Sequence, residues 1–90
     1  MDFEWDSAKA STNLRKHGIS FDEAASVFLD RLAVSGPDPD HSLDESRYIS
    51  FGISSLGQLL AVAHTYRPGA IRIISARKVN RAERKLDEES

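Results

Sequence analysis

Ninety residues, 40% apolar and 29% charged, allow one small core, and the chain reads as a single domain over residues 1–90. Cys is absent, which excludes disulfides and thiolate metal sites and fits a reducing cytoplasm; no apolar run nears the roughly 20 residues of a membrane helix, and the acidic opening MDFEWD is unlike a signal peptide. The net charge of −2 conceals a divided chain: residues 46–86 hold eight Lys/Arg against one acid, Glu83, whereas residues 1–45 hold four against ten.

Phe3-Glu4-Trp5 alternates apolar and polar residues and predicts a short opening strand. Asp6 is placed to cap a helix over about residues 7–17, which Gly18 closes. Ser20-Phe21-Asp22-Glu23 is a capping box, with Ile19 and Ala24 at staple spacing. Phe21, Ala24, Ala25, Phe28 and Leu29 continue it as one apolar stripe, so a second helix is expected over about 21–29. Only Ile19 and Ser20 separate it from Gly18, which makes the two a tight helical pair.

Leu32–Ser35 predicts a short strand that Gly36 and Pro37 should end, followed by an acidic loop to Glu45. Arg47–Ser54 alternates, with Ile49, Phe51 and Ile53 on one side; Gln58–Tyr66 and Ile71–Lys78 complete an antiparallel meander. The middles of the last two strands are apolar on both faces and imply cover on both sides, by helices or a partner. Asn80-Arg81-Ala82-Glu83 opens a last helix whose apolar face is little more than Leu86. The expected architecture is α+β: a short N-terminal strand, two helices, an antiparallel four-stranded sheet and a C-terminal helix.

The cations concentrate in the meander and the helix after it, a pattern that suits a polyanion. RNA cleavage without a metal needs a base for the 2′-hydroxyl, cations for the charge growing on phosphorus, and an acid for the leaving oxygen. Arg67, Arg72, Arg77 and Lys78 are the candidate cations, Arg because its planar fork donates twice to a phosphate. His64 has the ordinary pKa nearest neutrality and is the candidate acid or base. Arg47, Arg81 and Arg84 lie further out as RNA contacts, and Tyr66 offers a hydroxyl or a ring on which a base stacks. Against this, a lone strand His is commonly a hydrogen-bonded structural residue, and scattered Arg commonly serves solubility. Asp38-Pro39-Asp40-His41 reads as a turn, because no second cluster of metal-ligand residues accompanies it, and no metal or cofactor is expected. His17 reads as a packing residue at its helix C-terminus.

Strand register decides which of these residues meet. A three-residue loop within Arg67–Ala70 puts His64, Tyr66, Arg72 and Lys78 on one face and Arg67 and Arg77 on the other. A two-residue loop puts His64 on the side of Arg77. The odd loop is adopted here, since a Pro-led type I or II turn twists the wrong way for a two-residue hairpin, and it makes His64 and Arg72 neighbours.

Taken together, the blocks KHGISF, PDPDH, AHTYR and IRIISARK resemble the BrnT toxins of bacterial type II toxin–antitoxin systems, and the likeness runs nearly end to end. The resemblance implies a RelE-like fold and a small ribonuclease that cuts RNA internally and stops translation. It implies a BrnA-like antitoxin with a ribbon-helix-helix domain as partner, and operator DNA contacted only through that antitoxin. It supports His64, Arg67, Arg72, Arg77 and Lys78 as the working set without dividing base from acid. It also gives the acidic tail and last helix a role as antitoxin contacts. Two competing expectations stand beside it: an inactive RNA- or protein-binding module on the same fold, and an interaction domain whose basic face meets an acidic protein.

Overall fold

Local capping starts both helices. In the computed structural model, which describes residues 2–38 and 46–79, the Asp6 carboxylate accepts from the amides of Ala8 (2.8 Å) and Lys9 (3.1 Å) and opens α1, Ser7–His17. Amides of a first turn have no partner inside the helix, so the cap supplies one. These same bonds hold the Asp6 carboxyl below its usual pKa, the Lys9 amide contributing most. Gly18 ends α1 at φ 72°, where a side chain would be strained, and its amide returns to the Leu14 carbonyl.

Ser20 accepts from the Glu23 amide at 3.0 Å and opens α2, Phe21–Ser26. The reciprocal half of the expected capping box is not made. The Glu23 side chain is buried and turned toward the sheet, where Oε2 accepts from Ser54 Oγ (2.6 Å) and Gln58 Nε2 (2.8 Å). The helix expected to run to Leu29 tightens after Ser26 into a 3₁₀ turn, Val27–Leu29, a common way for a helix to finish. Asp30 then stitches the exit to the sheet, accepting from the amides of Leu32 (3.0 Å) and Ile53 (2.8 Å).

The strands are β1 (Asp2–Glu4), β2 (Val34–Pro37), β3 (Tyr48–Ile53), β4 (Leu59–Arg67) and β5 (Ala70–Lys78). They form one five-stranded mixed sheet in the order β1-β5-β4-β3-β2, which corrects the expected four-stranded antiparallel sheet. The difference is β1, which joins the far edge of β5 in parallel, Phe3 opposite Ile71 and Glu4 opposite Arg72. Parallel pairing needs no adjoining turn, so nothing in the sequence near either strand announces it. Gly36 and Pro37 continue β2 instead of ending it, paired with Ile49 and Tyr48. β2 is the outermost strand, where Pro37 can do without an amide. Most of the acidic loop, and the last helix with Arg81, Arg84 and the tail, fall outside the described residues.

One face of the sheet builds the core. Leu60, Val62, Ile73 and Ala76 pack against Ile19, Phe21, Ala24 and Val27, with Phe3, Trp5, Ala10, Ala25 and Phe28 around them. Each large side chain so buried contributes about 1.5–3 kcal/mol. Beyond the short β1, the edge of β5 is completed by a side chain. Asn13, buried on α1, donates to the carbonyls of Ile19 and Ala76 (2.9 Å each) and accepts from the Ala76 amide (3.0 Å). It takes the place of a neighbouring strand at that residue and ties α1 to the sheet. Among the described residues no helix is long and apolar enough to cross a membrane.

Candidate nucleic-acid interface

The hairpin of β4 and β5 carries most of the expected site. Its loop is two residues: Arg67 pairs with Ala70 across Pro68-Gly69, and Gly69 sits at φ 76°. Pro at the first central position and a positive-φ Gly at the second are what a type II turn requires. Pairing then runs Tyr66 with Ile71, Thr65 with Arg72 and His64 with Ile73. There it slips, so that Ala63 faces Ser75 and Ile74 is left as a bulge. Beyond it Val62, Ala61 and Leu60 face Ala76, Arg77 and Lys78. The part near the turn follows the even-loop parity, the far part the odd one. A bulge adds right-handed twist, which a type II turn does not supply.

Cross-strand partners share a face, and the pairing therefore sorts the candidates. His64, Tyr66 and Lys78 lie on the helix-packed side with Leu60 and Val62. Arg67, Arg72 and Arg77 lie together on the second side with Ala61, Ala63 and Thr65. The expected juxtaposition of His64 and Arg72 is thus corrected: the two point to opposite faces, because Arg72 pairs with Thr65. Arg47, one step ahead of β3, has the parity of Ile49, which faces Ala63 on the second side.

His64 is fully buried. Its Nδ1 is 3.1 Å from the Val62 carbonyl, while Nε2 is buried without a hydrogen-bond partner. The ring stands edge-on to Phe28 (4.8 Å) and Tyr66 (5.3 Å) and stacks on Tyr48 (6.1 Å). Burial holds its pKa below the ordinary value, opposed by the Val62 carbonyl. The neutral ring with Nδ1–H donated to Val62 fits this box, and a second proton on Nε2 would find no acceptor.

The second face is different in kind. Glu4 reaches across from β1, with Oε1 3.0 Å from Arg67 Nε and 4.0 Å from Arg72 Nη1. Oε1 is enclosed by the two guanidinium groups, although 42% of the Glu4 side chain is exposed. Arg67 (52%) and Arg72 (32%) keep enough exposure to meet a ligand. The Arg77 guanidinium touches the Lys78 carbonyl at 3.4 Å. The arrangement offers clustered, partly wet guanidinium groups around one carboxylate. It can bind a phosphate, and the carboxylate can exchange a proton beside it.

Sequence reasoning did not single out Glu4. Its alternation with Phe3 and Trp5 puts it opposite the core, but only the pairing of β1 with β5 brings it to Arg72. His17 lines a cleft of about 320 Å³ between α1 and the bulge at Ile74 and Ser75, with Lys9, Thr12 and Lys16. Among the described residues no group of three His, Asp or Glu side chains converges as a metal site.

Comparison with known proteins gives two findings. Residues 5–83 match the family described as ribonuclease toxin, BrnT, of type II toxin-antitoxin system. The fold is similar to the crystal structure of the Brucella abortus ribonuclease toxin BrnT, with a TM-score of 0.71 and 26% sequence identity over 90% of this chain and 99% of that one. No curated protein sequence is matched.

Proposed function

This chain belongs to the BrnT family of ribonuclease toxins of type II toxin–antitoxin systems, and from that premise we propose that it is an endoribonuclease whose RNA site is the cationic second face of the β4–β5 hairpin. The observation that carries the reading is the convergence of Arg67 and Arg72 at Glu4. Arg67 and Arg72 bind the scissile phosphate and neutralise charge as it gathers on the non-bridging oxygens. Arg77 and Arg47, of the same face by parity, hold the strand on either side. Thr65 stands opposite Arg72 with its hydroxyl donated to the Ser46 carbonyl (2.8 Å), which leaves its oxygen as an acceptor toward the ribose.

Arg81 and Arg84 are proposed to extend the RNA contact, and Lys78 and Tyr66 to meet it from the helix-packed side at the hairpin's two ends. His64 is proposed to keep the hairpin's shape, because its ring has no route to a phosphate held by Arg72. Cleavage is proposed to run without a metal, the Arg67 and Arg72 guanidinium groups taking up the charge on the phosphate. Cutting messenger RNA stops translation, in the cytoplasm. A type II toxin has an antitoxin as partner; here it is proposed to be BrnA-like, with a ribbon-helix-helix domain through which alone the complex meets operator DNA.

The test is incubation of the purified protein with cellular RNA in EDTA, followed by mapping of the new ends. Internal cuts that disappear in Arg72→Ala, with the melting temperature unchanged, are the expected result. A second reading, an inactive RNA-binding module acting in autoregulation, is favoured by the burial of the hairpin's one histidine. Salt-sensitive RNA binding with no cuts at any pH decides for it.

A further inference from the structure

We propose that Glu4 is the general base of this site, the group that takes the 2′-hydroxyl proton. The inference rests on the ribonuclease reading above and supplies what that reading lacks, since His64 faces the core. A base for this reaction has to sit within hydrogen-bond reach of a ribose whose phosphate is held by the cations. Glu4 is paired in register with Arg72 and touches Arg67 as well, so a phosphate bound by those two groups places its ribose beside the carboxylate.

Two details distinguish Glu4 from an ordinary surface counter-ion. Its Oε1 is buried against the Arg67 and Arg72 guanidinium groups, which fixes the carboxylate beside both cations. Its side chain nevertheless keeps 42% of its surface open, which leaves a path for the ribose. The charged groups around it are Arg67 and Arg72 from the hairpin, Asp2 at the same parity on β1, and Asp6 at the head of α1, whose carboxyl also feels Arg72.

The step balances without any further reagent. The 2′-O–H bond breaks and its proton passes to the Glu4 carboxylate. The 2′-oxygen bonds to phosphorus as the P–O5′ bond breaks, and the 5′-oxygen leaves with a proton from water. The products are a 2′,3′-cyclic phosphate and a 5′-hydroxyl, and Glu4 returns its proton to solvent.

The experiment compares wild type, Glu4→Gln and Glu4→Asp on a short RNA across pH 4–8. Binding is measured on the 2′-deoxy version of the same strand, which lacks the proton donor. Glu4→Gln is expected to lower kcat by about 10²–10⁴-fold, the range of a lost general base. Its binding of the deoxy strand should be unchanged or tighter, because a negative charge has left the cationic cluster. The acid limb of the kcat/KM profile should vanish in Glu4→Gln and persist in Glu4→Asp. Cleavage by Glu4→Gln within threefold of wild type overturns the assignment and leaves the ribonuclease reading standing. A uniform loss with the acid limb intact also overturns it and makes Glu4 a positioning residue. A wild-type protein that binds the strand and cuts nothing at any pH removes the ribonuclease reading and the base together.

Discussion

On one side of β4, His64 is dry and neutral, enclosed by Phe28, Tyr48 and Tyr66. One residue further along, Thr65 faces Arg72, beside a carboxylate and a second guanidinium that all keep contact with solvent. The two environments are a single backbone step apart and share no chemistry. The residue type most often credited with catalysis occupies the side where a proton has nowhere to go, and an unremarked Glu occupies the side where it has. Side-chain identity suggests a role; the face of the strand decides whether the role can be played.

This contrast can be tested by asking which property each face controls. Arg72→Ala is the strongest test: RNA cleavage should fall about 10²–10³-fold, the cost of one charge-stabilising donor, while the thermal midpoint stays near wild type. A similar loss in His64→Phe, with fold and melting intact, would erase the distinction between the faces.

Asn13→Ala probes the helix-packed side. It leaves the Ala76 amide and carbonyl without partners at the edge of β5 and should cost about 2–4 kcal/mol of stability, read by denaturant titration. Gly52→Ala is next. A methyl there meets Ala33 Cβ and Val27 Cγ1 at 2.9 Å each, so about 1–3 kcal/mol is expected from overpacking, with RNA affinity unchanged in the protein that remains folded.

The smallest effects are in pH dependence. Burial lowers the folded pKa of His64, so the unfolded chain binds the proton more readily. Stability is therefore full above about pH 6.5, where an unperturbed His titrates, and declines as pH falls from there toward the folded pKa. His64→Phe should flatten that part of the curve. Asp30 behaves oppositely in origin but in the same direction with pH. The Ile53 amide, first, and the Leu32 amide hold its carboxyl below the usual range. Its contribution is present above about pH 4 and is lost as pH falls below it. Asp30→Asn should reduce the acid sensitivity of unfolding in that window.

Part of this was legible in the amino acids. The starts and ends of α1 and the start of α2 follow from Asp6, Gly18 and Ser20, which act through hydrogen bonds spanning two to four residues. The family resemblance agrees with the match over residues 5–83. The role of Asn13 was not legible, because its partners on Ala76 stand 63 positions away. Nor was the turn of Glu23 from its own helix end to Ser54 and Gln58. That choice depends on strands the capping rule knows nothing about.

What the sequence determined by itself is where the helices begin, how the last two strands alternate, and that the cations collect in the C-terminal half. The tertiary structure alone decided which of those cations meet, through the two-residue turn at Pro68-Gly69, the bulge at Ile74 and the parallel seat of β1. The physical reason is the two-residue period of a strand. One residue more or less in a turn or bulge carries every following side chain to the other face, and no local pattern in the chain records that count.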